Sequence, residues 1–273
     1  MAALAGCASA PIPGSVQATR YTRLDDGRAL TEEIVAVETE RGALQPVLLV
    51  NDASGENPRA IAVMFPGNDG VVGLPASAAD LTPGVSFLVR TRQIFCDRDV
   101  GVAILDTPSD HARGLSDGFR MGSLHASDVR AVLRRLRARF PTTRMFLIGT
   151  SRGTLSAAHV ARALGHDVDG VVLTSTVFSG SRRATGLAGF DFGAIAAPLL
   201  FVHHAADACS LCPYTAARDL GQRFPLITVQ GGRPAQSGPC DALSPHGYFG
   251  VEAATVAAIK HWMLGHPYPA IVE

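Results

Sequence analysis

The chain has 273 residues, 47% of them hydrophobic, and 24 Lys plus Arg balance 24 Asp plus Glu. This length and content imply a packed core in one large α/β domain or two small ones, and exclude a low-complexity or disordered chain. A neutral chain lacks the clustered basic charge that selects phosphate backbones, so no nucleic-acid partner is expected, and no apolar run approaches the roughly 18 residues that span a bilayer.

Leu4-Ala5-Gly6-Cys7 resembles a bacterial lipobox, in which the cysteine is lipidated and becomes the mature N-terminus. It lacks a basic stretch and a long apolar stretch before it. Either it is a shortened signal sequence, giving an envelope location and membrane attachment through Cys7, or it is an Ala-rich tail of a cytoplasmic protein. Residues 8–30, rich in Ala, Pro, Gly and Ser, read as a linker, so residues 1–30 precede a domain spanning 31–273.

Glu33 to Glu38 and Leu44 to Val50 read as two strands of an opening hairpin around Arg41-Gly42. Ala60 to Phe65 is an uninterrupted apolar strand, as expected when both faces are covered, and it ends in the loop Pro66-Gly67-Asn68-Asp69-Gly70. Phe87, Leu88, Thr91, Ile94 and Phe95 keep helical spacing. Val102 to Leu105 is a short buried strand, and 106–123 a Gly-containing loop. Ser127 to Phe140 is an amphipathic helix with five arginines on its outer face, read as a solvated surface. Further strands fall at Met145–Ile148, Gly170–Thr174, Leu199–His203 and Pro225–Gln230. Helices fall after Arg152, at Tyr214–Leu220 and at Val251–Leu264. Strands alternating with helices predict a doubly wound, mostly parallel sheet of about eight strands with helices on both faces. The connection 177–197 is too short for a large cap.

The stretch Gly149-Thr150-Ser151-Arg152-Gly153 is a G-x-S-x-G pattern between an apolar strand and an Ala-rich helix. In a nucleophile elbow the serine occupies a sharp strand-to-helix turn, and its flanking positions must be small because two backbones crowd there. Gly149 and Gly153 meet that demand. The competing reading is an ordinary turn capped by Thr150 or Ser151.

A serine hydroxyl needs a base to take its proton, and the base needs an orienting acid. In an open α/β sheet such groups gather at the carboxyl ends of strands. Downstream of Ser151, Asp207 follows the strand ending at His203, and His246 follows the strand ending at Gln230. Asp241 is the rival acid. Asp207 also fits a helix cap, and His246 an ordinary loop histidine. His203 and His204 precede the acid; one of them is expected to pack in the strand or support Asp207.

In this order, Ser151, Asp207, His246, the chain resembles the α/β-hydrolases, over about residues 32–264. The resemblance implies a serine hydrolase that cleaves carboxylic esters through an acyl-enzyme, with a small-molecule ester as partner and with no cofactor and no metal. It implies an oxyanion hole from the backbone N–H groups of Asn68 and Arg152; Pro66-Gly67 stands where many members have His-Gly. Arg152 beside the nucleophile points to an acidic group on the substrate. Of the five cysteines, Cys209 and Cys240 are the expected bridge, tying the acid loop to the histidine loop. Cys209 and Cys212 as a redox pair, or with His203, His204 and Asp207 as a zinc site, are alternatives without the usual context or spacing. Two rival functions remain: a non-catalytic lipoprotein of the same fold that binds a ligand or partner, and a serine peptidase.

Overall fold

The computed structural model describes residues 16–75, 84–180 and 185–273. Cys7 lies outside the described residues. The strands are β1 (Val16–Arg23), β2 (Ala29–Glu38), β3 (Leu44–Asp52), β4 (Ala60–Phe65), β5 (Val100–Leu105), β6 (Arg144–Thr150), β7 (Gly170–Thr174), β8 (Leu199–His204), β9 (Leu226–Val229) and β10 (Ile271–Val272). The helices are α1 (Phe87–Arg90), α2 (Arg92–Phe95), α3 (Asp117–Arg120), α4 (Ser123–Arg139), α5 (Gly153–Leu164), α6 (Tyr214–Leu220) and α7 (Glu252–Leu264).

One sheet carries all ten strands in the order β1-β2-β3-β5-β4-β6-β7-β8-β9-β10. The first three strands and the β3–β5 pair are antiparallel, and every other pairing is parallel. Side chains alternate across the pleat. Ile61, Val63 and Phe65 of β4 join the core under α4, α5 and α6, while Ala60, Ala62 and Met64 join the core under α1, α2 and α7. Both faces are covered, which is why β4 to β8 read as unbroken apolar runs.

The sheet is larger than the expected eight strands. Residues read as a linker form β1, which pairs antiparallel with β2 from Val16–Val35 to Arg23–Ala29. At the opposite edge, β10 pairs with Thr228 and Val229 of β9. The helix expected across 87–95 divides at Thr91, where φ −92° and ψ 1° leave the helical ladder and Oγ1 donates to Phe87 O at 2.6 Å. The loop read across 106–123 contains α3, with Ser116 Oγ capping Phe119 N. The amphipathic helix begins four residues earlier than its arginine pattern suggests, because Ser123–Ala126 add one more turn, with His125 and Ala126 buried. No helix of the described residues is long and apolar enough to cross a membrane.

Candidate active site

β6 ends at Thr150 and α5 starts at Gly153, so Ser151 occupies the turn between the central strand and its helix. Its φ is +51°, in the left-handed region that a residue with a Cβ seldom adopts. Three bonds hold it there. Ser151 N donates to Thr174 O at 3.1 Å, and Ser151 O accepts from Thr154 N at 2.8 Å and Thr154 Oγ1 at 2.6 Å. A Cβ on Gly149 would lie 2.5 Å from Gly153 O, and one on Gly153 would lie 2.0 Å from Phe65 O. The two glycines are therefore imposed by the crossing of β6, α5 and the end of β4.

Asp207 follows β8, and its side chain is fully buried. Oδ1 accepts from Cys209 N at 2.9 Å, and Oδ2 lies 2.9 Å from His246 Nδ1. A carboxylate at Nδ1 selects the tautomer with its proton there and leaves Nε2 as the acceptor. His246 Nε2 is buried and has no hydrogen-bond partner among the described residues. Asp241, the rival acid, sits exposed, with Oδ2 accepting from Gly238 N at 3.0 Å.

Two residues that sequence reasoning missed lock the histidine in place. Ser175 (φ +45°) follows β7, and its Oγ donates to His246 O at 2.7 Å. The buried Tyr248 hydroxyl donates to Val202 O at 2.7 Å and accepts from Ser175 N at 3.0 Å. Arg90 adds a bond to Gly247 O at 2.5 Å while paired with Glu252 at 2.9 Å. A disulfide joins Cys209 to Cys240 and so links the acid loop to the chain before His246. His203 and His204 both brace backbone: His203 Nε2 accepts from Thr176 N at 2.8 Å, and His204 Nδ1 accepts from Ala206 N at 3.0 Å. Burial pulls His203 down to about 3, so its ring is neutral.

The loop after β4 closes the site from the other side. A Cβ on Gly67 would lie 3.1 Å from Ser151 Cβ. Gly70 N donates to Gly67 O at 3.0 Å and Asn68 adopts φ +52°, which turns the loop tightly. Asp106, at the end of β5, accepts from Val72 N and Leu74 N, each at 2.8 Å, and fixes the segment beyond. The backbone N–H groups of Asn68 and Arg152 donate to no other described residue. The Arg152 guanidinium is not free for an acidic substrate group. Its Nε and Nη2 both bind Asp117 Oδ1, at 3.0 and 2.5 Å, and Asp117 Oδ2 accepts from Thr185 N. That expectation is corrected by this ion pair, which no local sequence signal announces.

These groups face one cavity of about 680 Å³. Val72, Val85, Phe87, Leu211 and Leu243 supply apolar wall, and Asp69 and Asp241 stand exposed in its lining. The volume suits a small molecule. Cys209, Cys212 and His246 bring ligand atoms within 4.8 Å of one another. They do not fit a metal in this state: the Cys209 sulfur is in the disulfide, Asp207 occupies Nδ1 of His246, and burial raises the Cys212 thiol pKa so that it stays protonated.

A doubly wound sheet with a strained serine between its central strand and helix, and with no cap among the described residues, is the α/β-hydrolase fold. Residues 107–202 match the family profile described as serine aminopeptidase, S33. A cold-adapted esterase from an Arctic intertidal metagenomic library is similar at 15% identity and TM-score 0.56, covering 89% of this chain and 97% of its own. A dienelactone hydrolase from Anabaena variabilis is similar at 14% identity and TM-score 0.60, covering 86% of this chain and 97% of its own. A serine hydrolase without lid from Xanthomonas campestris is similar at 15% identity and TM-score 0.54, covering 85% and 94%. Among curated proteins, none matches the chain by sequence.

Proposed function

We propose that the protein is a serine hydrolase that cleaves carboxylic esters of small molecules. One observation carries the reading: Ser151 stands on a left-handed turn in the same cavity as a histidine with one nitrogen on a buried carboxylate and the other without a partner among the described residues. Ser151 Oγ attacks the carbonyl carbon while His246 Nε2 takes its proton. Asp207 holds the Nδ1–H tautomer and stabilises the imidazolium. The Asn68 and Arg152 N–H groups receive the oxyanion. His246 returns the proton to the leaving alkoxide, then activates the water that releases the acyl group. Alcohols leave more readily than amines, and esterases are among the structural neighbours, which supports the ester reading.

Ser151→Ala tests it: turnover of p-nitrophenyl butyrate falls at least about 10⁴-fold, whereas near-normal turnover refutes it. A peptidase reading draws on the matched family and on Asp69 and Asp241, two exposed carboxylates in the lining suited to an α-ammonium. Faster cleavage of an aminoacyl p-nitroanilide than of the ester would favour it. We place the hydrolase domain at residues 31–273, with β1 as an added edge. Attachment through a lipidated Cys7 at the cell envelope fits a bridged Cys209 and Cys240, since disulfides persist in that compartment. Labelling with a palmitate analogue, abolished in Cys7→Ser, checks it.

A further inference from the structure

Arg120, the last residue of α3, is 1% exposed. It has no carboxylate in ion-pair contact among the described residues. A buried guanidinium normally has such a partner, because an unpaired charge is costly away from water. Here Nη2 donates to Asn68 O at 3.1 Å and Nη1 to Ser156 Oγ at 3.1 Å, while Nε has no partner among the described residues. The first contact is on the loop that carries one oxyanion donor. The second is on α5, whose start carries the other. The guanidinium lies so close beneath the loop that a Cβ on Gly70 would be 2.7 Å from Nη2. Two acids act on it from a distance: Asp117 is committed to Arg152 and to Thr185 N, and Asp69 stands exposed at the cavity. Burial and Arg152 pull its pKa down to about 10, which leaves it charged at neutral pH.

We propose that Arg120 is a positioning residue for the oxyanion hole: it clamps the Asn68 loop to the elbow helix and sets a buried positive charge, with no carboxylate in contact among the described residues, beneath the point where the oxyanion forms. This rests on the hydrolase reading above. The charge favours the anionic intermediate over the neutral ground-state ester, so its effect belongs in kcat rather than in KM. The charge comes from the scaffold, so the site needs no cation in contact with the substrate. The buried cation is kept despite its cost to stability, a trade seen at functional sites.

The test compares wild type, Arg120→Met and Arg120→Lys on p-nitrophenyl butyrate. It also measures inhibition by a trifluoromethyl ketone, which forms an anionic adduct on the serine, and by N,N-dimethylbutyramide as a neutral ground-state ligand. Arg120→Met should lower kcat about 10- to 100-fold with KM within threefold. The ketone inhibition constant should rise in parallel while the constant for the neutral amide stays put. Arg120→Lys should recover part of both losses, and it serves alone where Arg120→Met does not fold by near-ultraviolet circular dichroism. In that case a lysine variant below wild type in kcat and ketone affinity supports the clamp, and one equal to wild type in both overturns it. A folded Arg120→Met with kcat within threefold, or with a loss confined to KM, overturns it too. A wild type that neither turns over the ester nor binds the ketone defeats the hydrolase reading itself, separately from the role of Arg120.

Discussion

Removing the Cys209–Cys240 bridge should destabilise the fold more than it disables the site. The variant must be the double Cys209→Ser/Cys240→Ser, because a single Cys240→Ser would leave Cys209 sulfur within 4.8 Å of the Cys212 thiol, free to form a new bridge. The bridge closes a loop with a sequence separation of 31. Chain-entropy theory then gives about 3.7 kcal/mol at 25 °C as the stabilisation lost. An unfolding entropy of about 2.1 cal/mol/K per residue turns that into a fall in Tm of about 6 °C for a chain of this size. His246 keeps its other anchors: Ser175 Oγ on its carbonyl, Arg90 on Gly247 O, and Asp207 on Nδ1. Esterase activity at 25 °C should therefore fall less than about tenfold, within the range of a modest misalignment. Differential scanning calorimetry of both proteins, and of wild type with and without dithiothreitol, gives the first number; steady-state kinetics gives the second. A Tm change under 2 °C would refute the entropy argument. Complete loss of activity in a folded double variant would refute the claim that the histidine is anchored independently.

Three further outcomes follow from the geometry. His125 is buried between Phe65 and Phe119, with neither ring nitrogen partnered among the described residues, and burial pulls it down to about 3, as it does His203. Both bind a proton near pH 6.5 only when unfolded, so their stability is intact above that pH and is lost as pH falls toward 3, by about 1.4 kcal/mol per pH unit for each. His125→Leu should raise stability at pH 7 by about 1–3 kcal/mol and reduce the acid slope by one proton in urea titrations; an unchanged slope contradicts this. Gly153→Ala, whose Cβ would meet Phe65 O at 2.0 Å, should give no soluble folded protein, while Gly165→Ala, with φ +58° and open space, should cost about 1 kcal/mol; equal stabilities would undo the elbow argument. Asp69→Asn/Asp241→Asn should raise kcat/KM severalfold for a monoanionic ester relative to a neutral one, with the gain screened in 0.5 M NaCl; no change would remove the rim carboxylates from specificity.

The elbow was legible because its steric demand falls on five contiguous residues, Gly149 to Gly153. The positions of Asp207 and His246 were legible because strands β8 and β9 are apolar enough to mark where their loops begin. β1 was not: residues 16–23 carry no apolar alternation, and the strand exists through pairing with β2. β10 has only two residues and is defined by its partner. Arg120 was invisible for a different reason. It sits among Asp117, Gly118 and Phe119 with no periodic signal, and its meaning comes from Asn68 and Ser156, 52 and 36 residues away. Tyr248 and Ser175 carry left-handed backbone that no local motif requires. Arg152 looked like a free cation because Asp117 is 35 residues distant.

The central claim is that Ser151 is a nucleophile activated by His246 and Asp207. Intact-protein and peptide mass spectrometry after treatment with a fluorophosphonate tests it most directly. The account predicts one phosphonyl group per chain, on Ser151, with labelling slowed at least about 10³-fold in His246→Ala and Asp207→Asn. No adduct on the folded wild type, or an adduct on another residue, would contradict it.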